Sequence, residues 1–181
     1  MATKKNTPGW SDVKARLADL DRAGLIGLLQ DLYAAGKENQ SFLHARFGLG
    51  GDVLNPYKAT IERWISPNVY KNQGISVAKA KKAISDYKKA VGQPDGLAEL
   101  MVYFCERAAR FADQFGVQDE GYPNALVHMF EQALKTVATL PEDRRPAFWE
   151  RLEAVSGIGD NIGYGVGENM EELLAKYCAD E

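Results

Sequence analysis

The chain has 181 residues, of which 45% are hydrophobic and 26% are charged, and its formal net charge is −3. This composition is ordinary for one folded domain and excludes collagen-like and low-complexity proteins. No apolar run approaches the roughly 18–20 residues that span a bilayer, and MATKKNTPGW lacks the apolar stretch of a secretory signal. We therefore expect a cytoplasmic protein without a membrane partner, with a disordered tail over residues 1–9 and a single helical domain over residues 10–181.

Charge is distributed unevenly between the two halves of the chain. Residues 1–92 contain 15 Lys/Arg and 8 Asp/Glu, a net charge of +7, whereas residues 93–181 contain 7 and 17, a net charge of −10. This asymmetry has two explanations: an acidic partner for the first half, or attraction between the two halves of one domain.

Three helices are predicted in the first third of the chain, over about residues 11–20, 22–35 and 37–47. Ser11 and Asp21 are suitable N-caps, and Gly36 ends the second helix. The stretch from Leu17 to Phe47 carries an apolar face that we expect to be buried and to organise the rest of the fold. The residues of this face are Leu25, Leu28, Leu29, Leu32, Phe42, Leu43 and Phe47.

The middle of the chain predicts three more helices. The first covers about 52–65, and the second runs from an N-cap at Ser76 to about Val91. The strongest pattern lies over about 96–115, where apolar residues recur at alternating spacings of four and three. Cys105 in this helix and Cys178 near the C-terminus both fall in helical patterns, and we expect free buried thiols rather than a disulfide or a metal pair.

The last third predicts helices over about 123–139, after Pro141 and over about 168–178. Because Pro141 and Pro146 each suit a helix N-terminus, the helix predicted after Pro141 should start twice or kink. No segment has the period-2 alternation of a strand. The sequence therefore predicts an all-α protein, an irregular multi-helix bundle of about eight helices, with a short α-solenoid as the alternative.

A lysine-rich helix face is the first candidate binding site. In the segment KAKKAISDYKK, Lys79, Lys82 and Lys89 lie opposite the apolar stripe. They either contact nucleic-acid phosphates or form an ordinary solvated face. Arg46 is a further candidate, either as a buried donor of a structural salt bridge or as part of a binding face.

Two other motifs suggest sites but have ordinary structural explanations. LEAVSGIGDNIGYG, residues 152–165, has the glycine pattern of a DNA-binding helix-hairpin-helix, but the later glycines oppose its second helix and the neighbourhood is acidic. A flexible loop or close helix packing is the alternative. His128 and Glu131 have the i, i+3 spacing of metal-binding bundles, yet only one other histidine is present and we expect surface residues and no metal or cofactor.

Four stretches together resemble a family of small bacterial proteins of unknown function. They are DLYAAGKENQSFLHARF, KAKKAISDYKKA, LAELMVYFCERAARFADQFG and GYGVGENMEELL, and the likeness covers about residues 10–175. The resemblance implies a helical cytoplasmic protein in which Arg46, Glu106 and Phe111 are recurrent motif positions. It supplies no activity, and the apolar pattern places Phe111 in the core.

Three functions remain open from the sequence. The leading hypothesis is a non-enzymatic protein-interaction module that binds a protein partner through a helical groove or its acidic half. The alternative is a nucleic-acid-associated protein that uses the lysine face. The third is an enzyme whose site assembles from scattered residues such as Glu106, Arg110 and His128. The partner's identity and the oligomeric state are not encoded in any motif.

Overall fold

The computed structural model of the chain describes residues 8–117 and 119–178, without the side chain of Cys178. Within these residues the chain forms α-helices and two short 3₁₀ turns and contains no strand. The helices are α1 (Trp10–Ala18), α2 (Arg22–Ala35), α3 (Lys37–Phe47), α4 (Asn55–Ile65), α5 (Val77–Ala90), α6 (Pro94–Phe115), α7 (Gly121–Ala138), α8 (Arg145–Gly159) and α9 (Val166–Cys178). The all-α prediction is confirmed.

Local signals fix several helix starts. The Asp21 carboxylate accepts a hydrogen bond from the Gly24 amide at 2.7 Å and caps α2, and the Ser76 hydroxyl caps α5 in the same way. The second start predicted at the two prolines is real: a 3₁₀ turn at Glu142–Arg144 precedes α8. These capping side chains satisfy backbone N–H groups that have no partner inside the helix.

The helix α6 is the centre of the fold. It packs against α4, α5, α7 and α8, and its Leu100, Val102 and Phe104 are fully buried. Phe111 is also buried, as its pattern predicts. A solenoid would bring each helix pair into contact only with its neighbours along the chain, so a bundle around a central helix describes this arrangement.

The prediction that Leu17–Phe47 organises the fold is wrong. No residue of α1 or α2 is buried, and in α3 only Ala45 is buried. The helix α2 packs against α3, and α3 in turn packs against α5. Periodicity identifies an apolar face but not its partner, and in this chain the helices that follow pack their apolar faces around α6.

The structure distinguishes between the two ordinary explanations of the glycine-rich segment after residue 155. The helix α8 continues through Ser156 and Gly157 to Gly159, and α9 begins at Val166, so that Gly167 lies inside a helix. A β-carbon on Gly159 would lie 3.3 Å from the Gly167 Cα atom. The glycines therefore allow close approach of α8 and α9, which was one of the two ordinary explanations.

Two further predictions fall partly or wholly outside the described residues. For the predicted disordered tail, residues 1–7 are not described, whereas Pro8 and Gly9 are described and exposed. Cys105 is a free, fully buried thiol, as predicted. The side chain of Cys178 lies outside the described part of the chain.

Candidate interaction surfaces

An exposed apolar surface covers one side of α2. We define the α2 face as six large side chains that are 37% exposed at Leu25 to 55% exposed at Ile26. The six are Leu25, Ile26, Leu28, Leu29, Leu32 and Tyr33. At 100° per residue they fall within an arc of about 160° on the helix. A helix that is apolar over so wide an arc is normally buried, so this face is the most unusual feature of the surface.

Polar contacts at the end of α2 hold it against α3 and leave most of the α2 face uncovered. The side-chain amides of Asn39 and Gln40 donate to the carbonyl oxygens of Leu32 and Tyr33, at 2.7 and 3.1 Å. These two bonds satisfy carbonyls in the last turn of α2, which have no partner inside the helix. The Tyr33 hydroxyl lies 2.9 Å from the Nε2 atom of His44. Of the α2 face, only Tyr33 takes part in these side-chain contacts with α3.

The three predicted lysines share one groove. Lys79, Lys82 and Lys89 line a cavity of about 510 Å³ between α3, α4 and α5, together with the aromatic rings of Tyr57 and Trp64. The Lys79 ammonium lies 3.8 Å from the centroid of the Trp64 indole. Sequence reasoning missed this aromatic element because Trp64 lies on a different helix from the lysines.

One of the three predicted lysines in this groove is already paired. The Lys82 ammonium lies 2.7 Å from Asp86 and 3.2 Å from Glu38, and hydrogen bonds to these two carboxylates raise the pKa of Lys82. Lys58 belongs to a different cluster, where it binds Glu99 at 2.6 Å. The basic residues of α4 and α5 therefore do not form one continuous unpaired stripe.

Arg46 lies apart from the three lysines. Its side chain lines a second groove, beside Tyr87 and Phe148, and its Nη1 atom donates to the Ala90 carbonyl at 3.2 Å. The expectation of a buried salt-bridge donor is wrong, because Arg46 is exposed and its bond is to a carbonyl at the end of α5. Cations are favourable at helix C-termini, so Arg46 ties α3 to α5.

A half-buried charge network joins α4, α6 and α8. The guanidinium of Arg151 bonds to both oxygens of Glu106, at 2.8 and 2.9 Å, and to Glu99 at 2.5 Å. Burial alone would raise the pKa of Glu99, but hydrogen bonds and positive charge from Arg151 and Lys58 outweigh it and lower that pKa. Sequence patterns do not show this network, because its residues lie on three different helices.

The residues of the enzyme hypothesis do not converge. Glu106 is engaged by Arg151, Arg110 is exposed, and His128 lies on the surface of α7. Glu131 binds Lys135 at 2.7 Å. In the described part of the chain, no group of three or more His, Cys, Asp and Glu side chains is placed to hold a metal ion.

The remaining comparisons add no relative. Across residues 8–117 and 119–178, no helix is both long enough and apolar enough to cross a membrane. Comparison of the chain with protein-family models, curated proteins and solved structures gives no match.

Proposed function

We propose that the protein is a non-enzymatic protein-interaction module and that the α2 face is its docking surface. One observation carries this proposal: α2 is apolar over about 160° of its circumference, and none of its residues is buried by the chain itself. Large exposed apolar patches on soluble domains mark interaction sites. The charged groups that do converge, around Arg151, are bonded to one another and hold helices together, which favours a structural role for them.

The energetics support docking over simple exposure. Burial of apolar surface contributes about 25 cal/mol of stabilisation per Å². Each of the six side chains is about half exposed, and a partner that covers the α2 face would remove this exposed area from water. The core does not depend on them, because the fully buried side chains lie on other helices. The chain thus retains its fold while this face remains available.

A photo-crosslinking experiment tests this function. Leu29 is replaced by a photo-crosslinking amino acid, the protein is irradiated in an extract of its source cells, and adducts are identified by mass spectrometry. We expect a discrete protein adduct that is lost when Leu32→Lys is added. The matched control is the same replacement at Ile75, which is 43% exposed but lies outside the α2 face. Equal labelling at both positions, or no adduct at position 29, would contradict the proposal.

Nucleic-acid binding through the lysine groove is the second candidate. It is favoured by the groove that Lys79, Lys82 and Lys89 share with Trp64, since aromatic rings and cations together bind single-stranded nucleic acid. Fluorescence anisotropy of labelled DNA and RNA across a salt series tests it. Affinity that falls steeply with salt and weakens in the Lys79→Glu, Lys89→Glu variant would support this function. No binding at low salt would eliminate it.

We also propose a cytoplasmic location. The free thiol of Cys105 is compatible with the reducing conditions of that compartment.

A further inference from the structure

The charge of the α2 face indicates the kind of partner it takes. From Ala23 to Ala35 the only charged residue is Asp31. The larger segment from Trp10 to Leu49 has five basic and five acidic residues, a net charge of zero. A partner recognised by charge would instead be attracted to the lysine-rich α5 or to the acidic second half of the chain.

A neutral apolar face is suited to meeting a copy of itself. In a two-fold symmetric dimer the same patch is contributed by both subunits, so a strongly basic or acidic patch would place like charges opposite one another. The α2 face avoids this repulsion. We propose that the α2 face docks on the α2 face of a second copy of this chain. This inference rests on the proposed interaction function and names its partner.

The available area is close to what a stable dimer needs. At about 100 Å² for each half-exposed large side chain, the six of the α2 face offer roughly 600 Å², near the lower limit of the roughly 600–1,000 Å² that each partner buries in a standard-size interface. This area lies at the upper end of the roughly 300–600 Å² of the largest patch on a typical monomer.

Sedimentation velocity and light scattering over about 1–100 µM protein test the inference. We expect the mass to rise from one chain to two with concentration, and the dissociation constant to change little between low and high salt. Replacing Leu29 and Leu32 by Lys together should raise the dissociation constant at least about 100-fold, because charges then face each other in an apolar contact. Ile75→Lys is the matched control and should leave dimerisation unchanged.

Circular dichroism of each variant verifies that the fold is retained, and Ile26→Lys provides an independent probe of the same face. A wild-type chain that stays monomeric at the highest concentration overturns the inference. A dimer that survives the Leu29→Lys, Leu32→Lys changes also overturns it. A dimer that dissociates in high salt does so too, because the contact would then be a charge pairing between α5 and the acidic half of the chain. If the wild type is monomeric but a different protein crosslinks at position 29, the second-copy inference fails while the proposed interaction function stands.

Discussion

The hydroxyl of Tyr87 occupies the space that a β-carbon on residue 96 would fill. Gly96 is buried in the first turn of α6, and Tyr87 is buried in the last turn of α5. A β-carbon added to Gly96 would collide with the Tyr87 hydroxyl and ring. The junction between α5 and the central helix therefore depends on the absence of a side chain at position 96.

The first prediction follows from this contact. Gly96→Ala should lower the free energy of unfolding by about 1–3 kcal/mol, because the rigid ring of Tyr87 must shift in a packed core. Urea denaturation measures the change. The matched control is Gly27→Ala in α2, where a β-carbon meets nothing within 4 Å. That variant should be neutral or should stabilise the chain by up to about 1 kcal/mol. Equal effects at the two positions would contradict the steric explanation.

The second prediction concerns the charge network. Arg151→Met should destabilise the protein by about 1–3 kcal/mol, because Glu99 and Glu106 lose their shared cation while they remain about four-fifths shielded from water. Arg110→Met is the control, since Arg110 is an exposed arginine on α6, the helix that carries Glu99 and Glu106. Thermal and urea denaturation compare the two. A loss no larger than that of the control would mean that the network is energetically neutral.

The third prediction is a pH dependence that originates at Glu99. Because the pKa of Glu99 is lowered below its ordinary value of 4.5 in the folded state, its contribution to stability is complete above that value and is lost as the pH falls below it. Glu99→Gln should make the acid decline of the unfolding free energy shallower. Urea titrations at a series of pH values test this. Glu153→Gln removes an exposed carboxylate and should leave the slope unchanged.

The fourth prediction concerns the thiol of Cys105. Its side chain is fully buried in α6, and burial raises the pKa of the thiol far above its usual range. In a Cys178→Ser variant, Cys105 should react with a thiol reagent only at the rate at which the core opens. The rate should rise in parallel with the unfolded fraction in urea. Rapid labelling of the native protein would contradict the burial of this residue.

Sequence patterns predicted the elements much better than their partners. Asp21 and Ser76 act on amides three residues away, so their caps are readable from short segments. The alternating spacing of apolar residues in α6 is likewise readable within one segment, and it identified Phe111 as core. However, the periodicity of α2 is just as clear, and its leucines are exposed.

The missed interactions have a common cause, namely long separation along the chain. Arg151 reaches Glu99 across 52 positions, and its Glu106 contact spans 45. Lys79 and Trp64 also meet only because α4 and α5 pack side by side. Such pairs depend on how helices are arranged in space, which periodicity within one helix does not specify.

The central position of α6 also bears on synthesis of the chain. This helix begins at Pro94, so a ribosome adds more than half of the residues before the sides of α4 and α5 that pack against α6 are covered. At about 5–20 residues per second, the ribosome needs several seconds to reach Pro94. The α2 face is not buried by the later helices, although α3 packs against α5. A nascent chain therefore emerges with one apolar helix that stays exposed after folding and two that are exposed only until α6 follows them.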